Sequence, residues 1–228
     1  MQLRSAPMVF AKGVSKMVLV TDVEKLRGGK VLVKLDNGSV YQLLRSAYQE
    51  RPLSPGDEID ADEYERWVLL HQYRSALDKA VAMLAARICS KGEIRGKLHR
   101  VGYSDQTIEM VLLKLEKNNL LNDQEFASAW AAYRSGKRYG PGKIRQELRT
   151  KGIASEDTDI VLNQIPEEIL FENAVSLARK SLRSTKETKD PRKIRQRVTA
   201  MLVRRGYSWD LSRQAFELAF QETDHDID

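Results

Sequence analysis

Few residues in this chain have the types and spacing to do chemistry on a substrate. Its three histidines, His71, His99 and His225, are too scattered for a metal site or a catalytic triad, and no H-E-x-x-H or C-x-x-C pattern occurs. Cys89 is the single cysteine. It excludes an intramolecular disulfide, and a lone thiol beside apolar neighbours serves packing more often than reactivity. The glycines of Gly136 to Lys143 suggest a phosphate cradle, but the pattern fails. A P-loop needs Gly five residues before its Gly-Lys pair and Ser or Thr after it, whereas Lys137 and Ile144 hold those places. The abundant acidic residues are accounted for as helix caps and surface groups. No catalytic set, metal site or cofactor site is predicted, so the chain reads as a non-enzymatic binding protein.

Its positive charge is the remaining candidate for function. The net charge is +6, but the segments Arg87 to Arg100, Arg134 to Lys151 and Arg179 to Arg205 hold 23 of the 38 Lys and Arg and only 4 of the 32 Asp and Glu. They carry +19 and the rest of the chain −13. One such segment is ordinarily a solvated helix face. Three in register along a repeat suggest a stripe facing a polyanion or an acidic protein surface.

The elements that position this charge repeat. Ile144, Leu148, Gly152 and Ile153 have counterparts in Ile94, Leu98, Gly102 and Tyr103 and again in Val198, Leu202, Gly206 and Tyr207. Each set describes a helix with one apolar face and a glycine stop. Around them the pattern predicts three tandem three-helix modules in an elongated array: residues 61–120 including a helical linker, 121–165, and 166–228 with an acidic tail. Ser90, Ser104, Asn122, Asp190 and Ser208 are predicted caps, and Asn122 with Glu125 has capping-box spacing. Tyr64 to Ile88 reads as helix interrupted near His71 to Ser75. Residues 1–60 differ: residues 1 to 16 trail loosely, and Val- and Leu-rich runs then predict a small sheet of about three strands. Asn37-Gly38 predicts a type I′ hairpin turn, and Glu58-Ile59 a short added strand. The fold class is therefore mainly α with an amino-terminal β region. With 42% hydrophobic residues, no apolar run of membrane length and no signal-peptide pattern, a soluble cytoplasmic monomer is expected.

At roughly 100° per residue, a helix with Ile144 and Leu148 inward places Arg145 and Arg149 together on an outward flank, with Lys143 on the other side. Arg95 and His99 hold that flank in the first module, and Thr199 and Val203 in the third. The third module's charge comes instead from its linker and helix ends: Lys186, Lys189, Arg192, Lys193, Arg204 and Arg205. The predicted partner-binding residues are Arg95, Lys143, Arg145, Arg149, Lys151, Lys193, Arg204 and Arg205. Tyr103 and Tyr207, directly after stop glycines, are expected to pack back on their helices, while Tyr139 is less constrained.

These motifs resemble the RecX family of regulators of the bacterial recombinase RecA. Leu84-x-x-Arg87-x-x-Ser90-x-x-Glu93-Ile94-Arg95-x-Lys97-Leu98 is similar to the family's first-module signature. Asn122-Asp123-x-x-Phe126-Ala127 resembles its module boundary, with Asn122 in place of the usual Asp. Gly140-Pro141-x-x-Ile144-x-x-Glu147-Leu148-x-x-Lys151-Gly152-Ile153 resembles its most characteristic motif, and Leu202-x-Arg204-Arg205-Gly206-Tyr207-Ser208 the third-module motif. The resemblance spans residues 64 to 221. It implies a non-enzymatic protein that binds the RecA filament and restrains ATP hydrolysis and strand exchange, with the basic stripe facing acidic protein or DNA. The competing expectation is a DNA-binding protein built of helix-turn-helix-like modules, although no module carries an Asn, Gln and Arg base-reading set.

Overall fold

The computed structural model describes residues 17–184 and 190–225. The predicted loose amino terminus, Lys186, Lys189 and the last three residues of the acidic tail lie outside the described residues. The backbone divides into two compact units: Met1–Ala82 with Lys97–Val111, and Met83–Gly96 with Leu112–Asp228.

The first unit is built on an antiparallel sheet of β1 (Met17–Leu26), β2 (Lys30–Leu35), β3 (Val40–Leu44) and β4 (Glu58–Asp60), ordered β3-β2-β1-β4. Alternation sets its inner face along Met17–Val20 and β2, because successive strand residues point to opposite sides, and β1 shifts register after Val20. Val18, Val20, Val31, Val33, Leu35, Leu43 and Ile59 are all buried in one core cluster with Tyr64 and Val68. The expected short strand at Glu58-Ile59 forms β4, pairing Val18 with Ile59, so the sheet has four strands. The type I′ expectation at Asn37-Gly38 is corrected. Gly38 has φ +86, but Asn37 keeps negative φ. The Leu35 amide donates to Ser39 O and the Gly38 amide to Leu35 O, a three-residue loop whose last residue is left-handed. The Asn37 side chain accepts from the Ser39 amide instead of supplying the first left-handed position.

Helix α1 (Arg45–Glu50) follows β3, and α2 (Ala61–Ala86) follows β4. Asp60 caps α2, its carboxylate accepting from the Asp62 and Glu63 amides. The predicted interruption near His71 to Ser75 is absent. Tyr64, Val68, Gln72, Ala76 and Ala80 form one buried stripe at four-residue spacing, and the lapse in apolar periodicity is a single polar member, Gln72. Its amide nitrogen donates to Gln42 O on β3 at 2.9 Å. Its oxygen accepts from the Ser104 amide and from Thr107 Oγ1, each at 3.3 Å. Gln72 thus satisfies a sheet carbonyl and the start of a helix together. Tyr103 is buried as expected, with its hydroxyl 2.7 Å from Ser75 Oγ.

Helices α3 (Lys91–Val101) and α4 (Asp105–Lys117) run through the sequence boundaries of the two units. The second unit continues with α5 (Asp123–Gly136), α6 (Pro141–Thr150), α7 (Ser155–Asn163), α8 (Glu167–Ser184), α9 (Pro191–Arg204) and α10 (Trp209–His225). The predicted caps at Ser90, Asn122, Asp190 and Ser208 all accept first-turn amides. Ser90 also receives the reciprocal capping-box contact from Glu93. The three matched helices seat their cores identically: Ile94, Leu98, Ile144, Leu148, Val198 and Leu202 are each 0% exposed. Phe126, Ala131, Val161 and Leu162 close the core around α6, while Ala174, Val175, Ala215 and Phe216 close that around α9.

Replacing Gln72 by Leu removes one donor and one acceptor and leaves buried backbone and hydroxyl groups unpaired. Gln72→Leu should therefore lower unfolding stability by about 2–3 kcal/mol in spite of its greater hydrophobicity. Equilibrium urea unfolding measures this, and a loss below about 0.5 kcal/mol would deny Gln72 the joining role.

Candidate functional site: module joints and a basic helix flank

Every α-helix begins with backbone amides that have no partner inside it and ends with carbonyls in the same position. In the second unit these two sets meet. The Gly140 amide donates to Arg205 O and the Gly142 amide to Gly206 O, both at 2.9 Å, so the start of α6 is satisfied by the end of α9. Gly140 accordingly makes no side-chain cap, unlike Asp190 at the start of α9. The segment that starts α3 meets the end of α6 in the same sense. Ser90 Oγ donates to Lys151 O at 2.7 Å, and Gly92 faces Gly152.

These joints require glycine. A Cβ at Gly92 would lie 2.3 Å from Lys151 O, and one at Gly140 would lie 2.5 Å from the carbonyl carbon of Gly206. Gly152 and Gly206 also have φ of +78 and +96, which end their helices in the left-handed region.

Around the contacts runs a ladder of charges and rings. Glu93 binds Arg87 at 2.8 Å and Lys151 at 2.7 Å. Lys151 lies 4.1 Å from the Trp130 ring centroid. Trp130 Nε1 donates to Glu147, which also pairs with Arg134. The Arg134 guanidinium sits 3.8 Å from the Tyr139 centroid, and Arg205 sits 5.1 Å from the same ring. Tyr139, expected to be less constrained, is therefore held by two guanidiniums. Burial raises the Glu93 carboxyl pKa, but hydrogen bonds and charge from Arg87 and Lys151 outweigh it and hold the group below its usual range. In Tyr207 burial wins and pushes the phenol up to about 12.

The predicted partner-binding residues thus fall into two sets. Lys151 and Arg205 are half-buried members of the joints, and Lys143 is half-buried with its ammonium on Gln146 Oε1 at 2.9 Å. Arg95, Arg145, Arg149, Lys193 and Arg204 are exposed. Arg145 pairs with Asp159 at 2.6 Å with both side chains more than half exposed, and such pairs contribute little. Arg149, Lys193 and Arg204 make no ion pair among the described residues. The expected outward flank in the third module is corrected. Val203 is exposed as expected, but Thr199 is 2% exposed, covered where α9 packs on α8 and α10. The joints were not recognised from sequence, although Gly92, Gly140 and Gly142 signalled them: glycines inside or at the start of helices that need no positive φ there.

The joint geometry has measurable consequences. Gly92→Ala and Gly140→Ala should each destabilise the protein by about 1–3 kcal/mol through overpacking. Gly96→Ala, on the same helix as Gly92 but with open space at its Cβ, should stabilise by roughly 0.5–1 kcal/mol. Equal effects at Gly92 and Gly96 would remove the joint as the cause. Because the folded Glu93 pKa is lowered from 4.5, its contribution is present above that pH and lost as pH falls through the folded value. Wild type should exceed Glu93→Gln by roughly 1 kcal/mol at pH 7, with the gap closing as pH falls below the ordinary carboxylate range.

Comparison with known proteins finds three consecutive family matches: RecX, first three-helix domain, over residues 76–115; RecX, second three-helix domain, over 122–162; and RecX, third three-helix domain, over 167–216. The regulatory protein RecX of Prosthecochloris aestuarii is 35% identical over 63% of this chain and 93% of its own length. That of Mycobacterium leprae is 37% identical over 55% of this chain and 74% of its own. A crystal structure of regulatory protein RecX superposes with a TM-score of 0.62 at 25% identity, covering 90% of this chain and 99% of that one. Three family domains in order, relatives matched over most of their length and a shared fold place this chain in the RecX family of regulatory proteins.

Proposed function

We propose that the chain is a non-enzymatic regulator of the RecA recombinase, acting in the bacterial cytoplasm on homologous recombination and DNA repair. It binds the RecA nucleoprotein filament and restrains ATP hydrolysis and strand exchange. The observation that carries this reading is the run of three RecX three-helix domain matches in order along the chain. The exposed flank of α6 supports it further. Arg149 stands there without an ion pair among the described residues, beside an Arg145 whose exposed bond to Asp159 can be exchanged for a partner carboxylate at little cost.

The joints supply the mechanical half of the proposal. Modules linked by backbone hydrogen bonds and close glycine contacts act as a stiff brace rather than as beads on a flexible linker. Lying along the filament and touching neighbouring RecA protomers, such a brace opposes the movements between protomers that accompany hydrolysis. It also occupies space required by an incoming duplex.

Added protein should lower the DNA-dependent ATPase of RecA. In a filament pull-down, Arg145→Ala/Arg149→Ala should bind about tenfold more weakly than wild type without loss of unfolding stability, with Arg149→Ala accounting for most of the change. An unchanged ATPase at a concentration where filament binding is verified would sink the regulatory reading. Unchanged binding by the double variant would remove this flank from the interface.

A further inference from the structure

A trough of about 820 Å³ opens in the second unit where the first turns of α6, α8 and α10 come together. Pro141, Leu170, Phe171 and Leu211 supply its apolar lining, and all but Leu170 keep part of their surface in contact with water. Glu167, Glu168 and Asp210 stand exposed around that lining and form no ion pair among the described residues. Elsewhere in this basic unit carboxylates are taken up by cations: Glu93 by Lys151, Glu147 by Arg134, Glu217 by Arg195 and Glu222 by Arg179. Arg145, which also lines the trough, is already paired with Asp159.

An acid in the first turn suits the positive end of its own helix, which accounts for each carboxylate singly. It does not account for two such helices starting on one water-exposed apolar hollow. Apolar concavities edged by a few polar groups are where proteins take ligands, and the sign of the edge selects among them. Phosphate and acidic protein are repelled by this edge. A metal ion is the wrong fit, because no group of His, Cys, Asp or Glu among the described residues comes close enough together to hold one. The acids come from two helices, α8 and α10, so a chain segment crossing the trough meets carboxylate more than once. What fits is a segment that buries a large side chain on the apolar lining and sets ammonium or guanidinium groups on either side of it.

We propose that the trough docks a segment of a partner protein in which one or two large apolar side chains are flanked by lysine or arginine. The proposal does not rest on action on RecA. It uses a surface opposite in charge to the arginine flank of α6, for a partner other than the filament, so its primary test contains no RecA.

Random peptides of about twelve residues, displayed on phage, are selected on the immobilised full-length protein. A fluorescein-labelled copy of the enriched sequence is then followed by anisotropy at about 50 mM salt. Enriched sequences should place Lys or Arg on both sides of Leu, Phe or Trp. Glu168→Gln and Asp210→Asn should each weaken this peptide about threefold, and Gln214→Lys, which adds a cation at the exposed edge of the trough, about tenfold. Glu172→Gln, which removes an exposed acid of α8 outside the trough, should change affinity less than about 1.5-fold. These sites are all exposed, so melting temperatures should stay within about 3 °C of wild type. In the filament pull-down Gln214→Lys should behave as wild type. Absence of enrichment, an acidic or uncharged consensus, or equal losses in Glu168→Gln and Glu172→Gln overturns the proposal. Full displacement of the peptide by millimolar spermidine at constant ionic strength reassigns the trough to polyamines, and loss of filament binding in Gln214→Lys reassigns it to RecA. Either result also overturns it.

Discussion

The second unit depends on backbone meeting backbone across its module joints. A helix end has unsatisfied polar groups, and the usual remedy is a local side chain or water. Here the amides at the start of α6 find carbonyls at the end of α9, which brings opposite ends of two helix dipoles together. This works only if nothing projects between them, which is why Gly140, Gly142 and Gly206 cluster at one joint and Gly92 and Gly152 at the other. A methyl group at Gly92 or Gly140 would displace backbone rather than a flexible side chain. The position of one module on the next is thus set by rigid atoms.

The ladder from Glu93 through Lys151, Trp130, Arg134 and Tyr139 to Arg205 encloses these contacts with alternating charges and rings. Its cations sit in partly buried surroundings, where pairing with Glu93 and Glu147 and contact with aromatic faces compensate for lost water. This separates the basic residues by task. Those compensated inside the ladder hold modules together, whereas Arg145 and Arg149 on α6 stand exposed. A charge count along the chain merges the two groups.

Much of the fold was legible in the sequence because it rests on local signals. The triples Ile94/Leu98/Gly102, Ile144/Leu148/Gly152 and Val198/Leu202/Gly206 located the matched helices and their ends, and caps such as Asn122 and Asp190 located their beginnings. The errors arose where a residue acts through a distant partner. Gln72 looked like a break in an apolar stripe because its three hydrogen-bond partners lie on β3 and in the residues from Ser104 to Thr107. The Asn-Gly pair predicts a left-handed Asn37, whereas its side-chain oxygen instead accepts the Ser39 backbone N–H. At the candidate site, helical geometry placed Arg145 and Arg149 correctly on an exposed flank. It could not reveal that Lys151 points back to Glu93, or that Thr199 is covered by neighbouring helices, since both depend on contacts far along the chain.

The direction of the joints imposes an order on the making of the protein. Synthesis runs from the amino terminus, so the start of α6 leaves the ribosome with the Gly140 and Gly142 amides uncommitted, and their acceptors at Arg205 and Gly206 follow only after most of the next module. The start of α3 likewise awaits the carbonyl of Lys151. The first two modules each therefore acquire a closing polar contact from the module made after them. Rigidity arrives from the carboxyl-terminal side, and a nascent chain that has formed every helix up to α7 can close the joint at Lys151 but still lacks the one at α9.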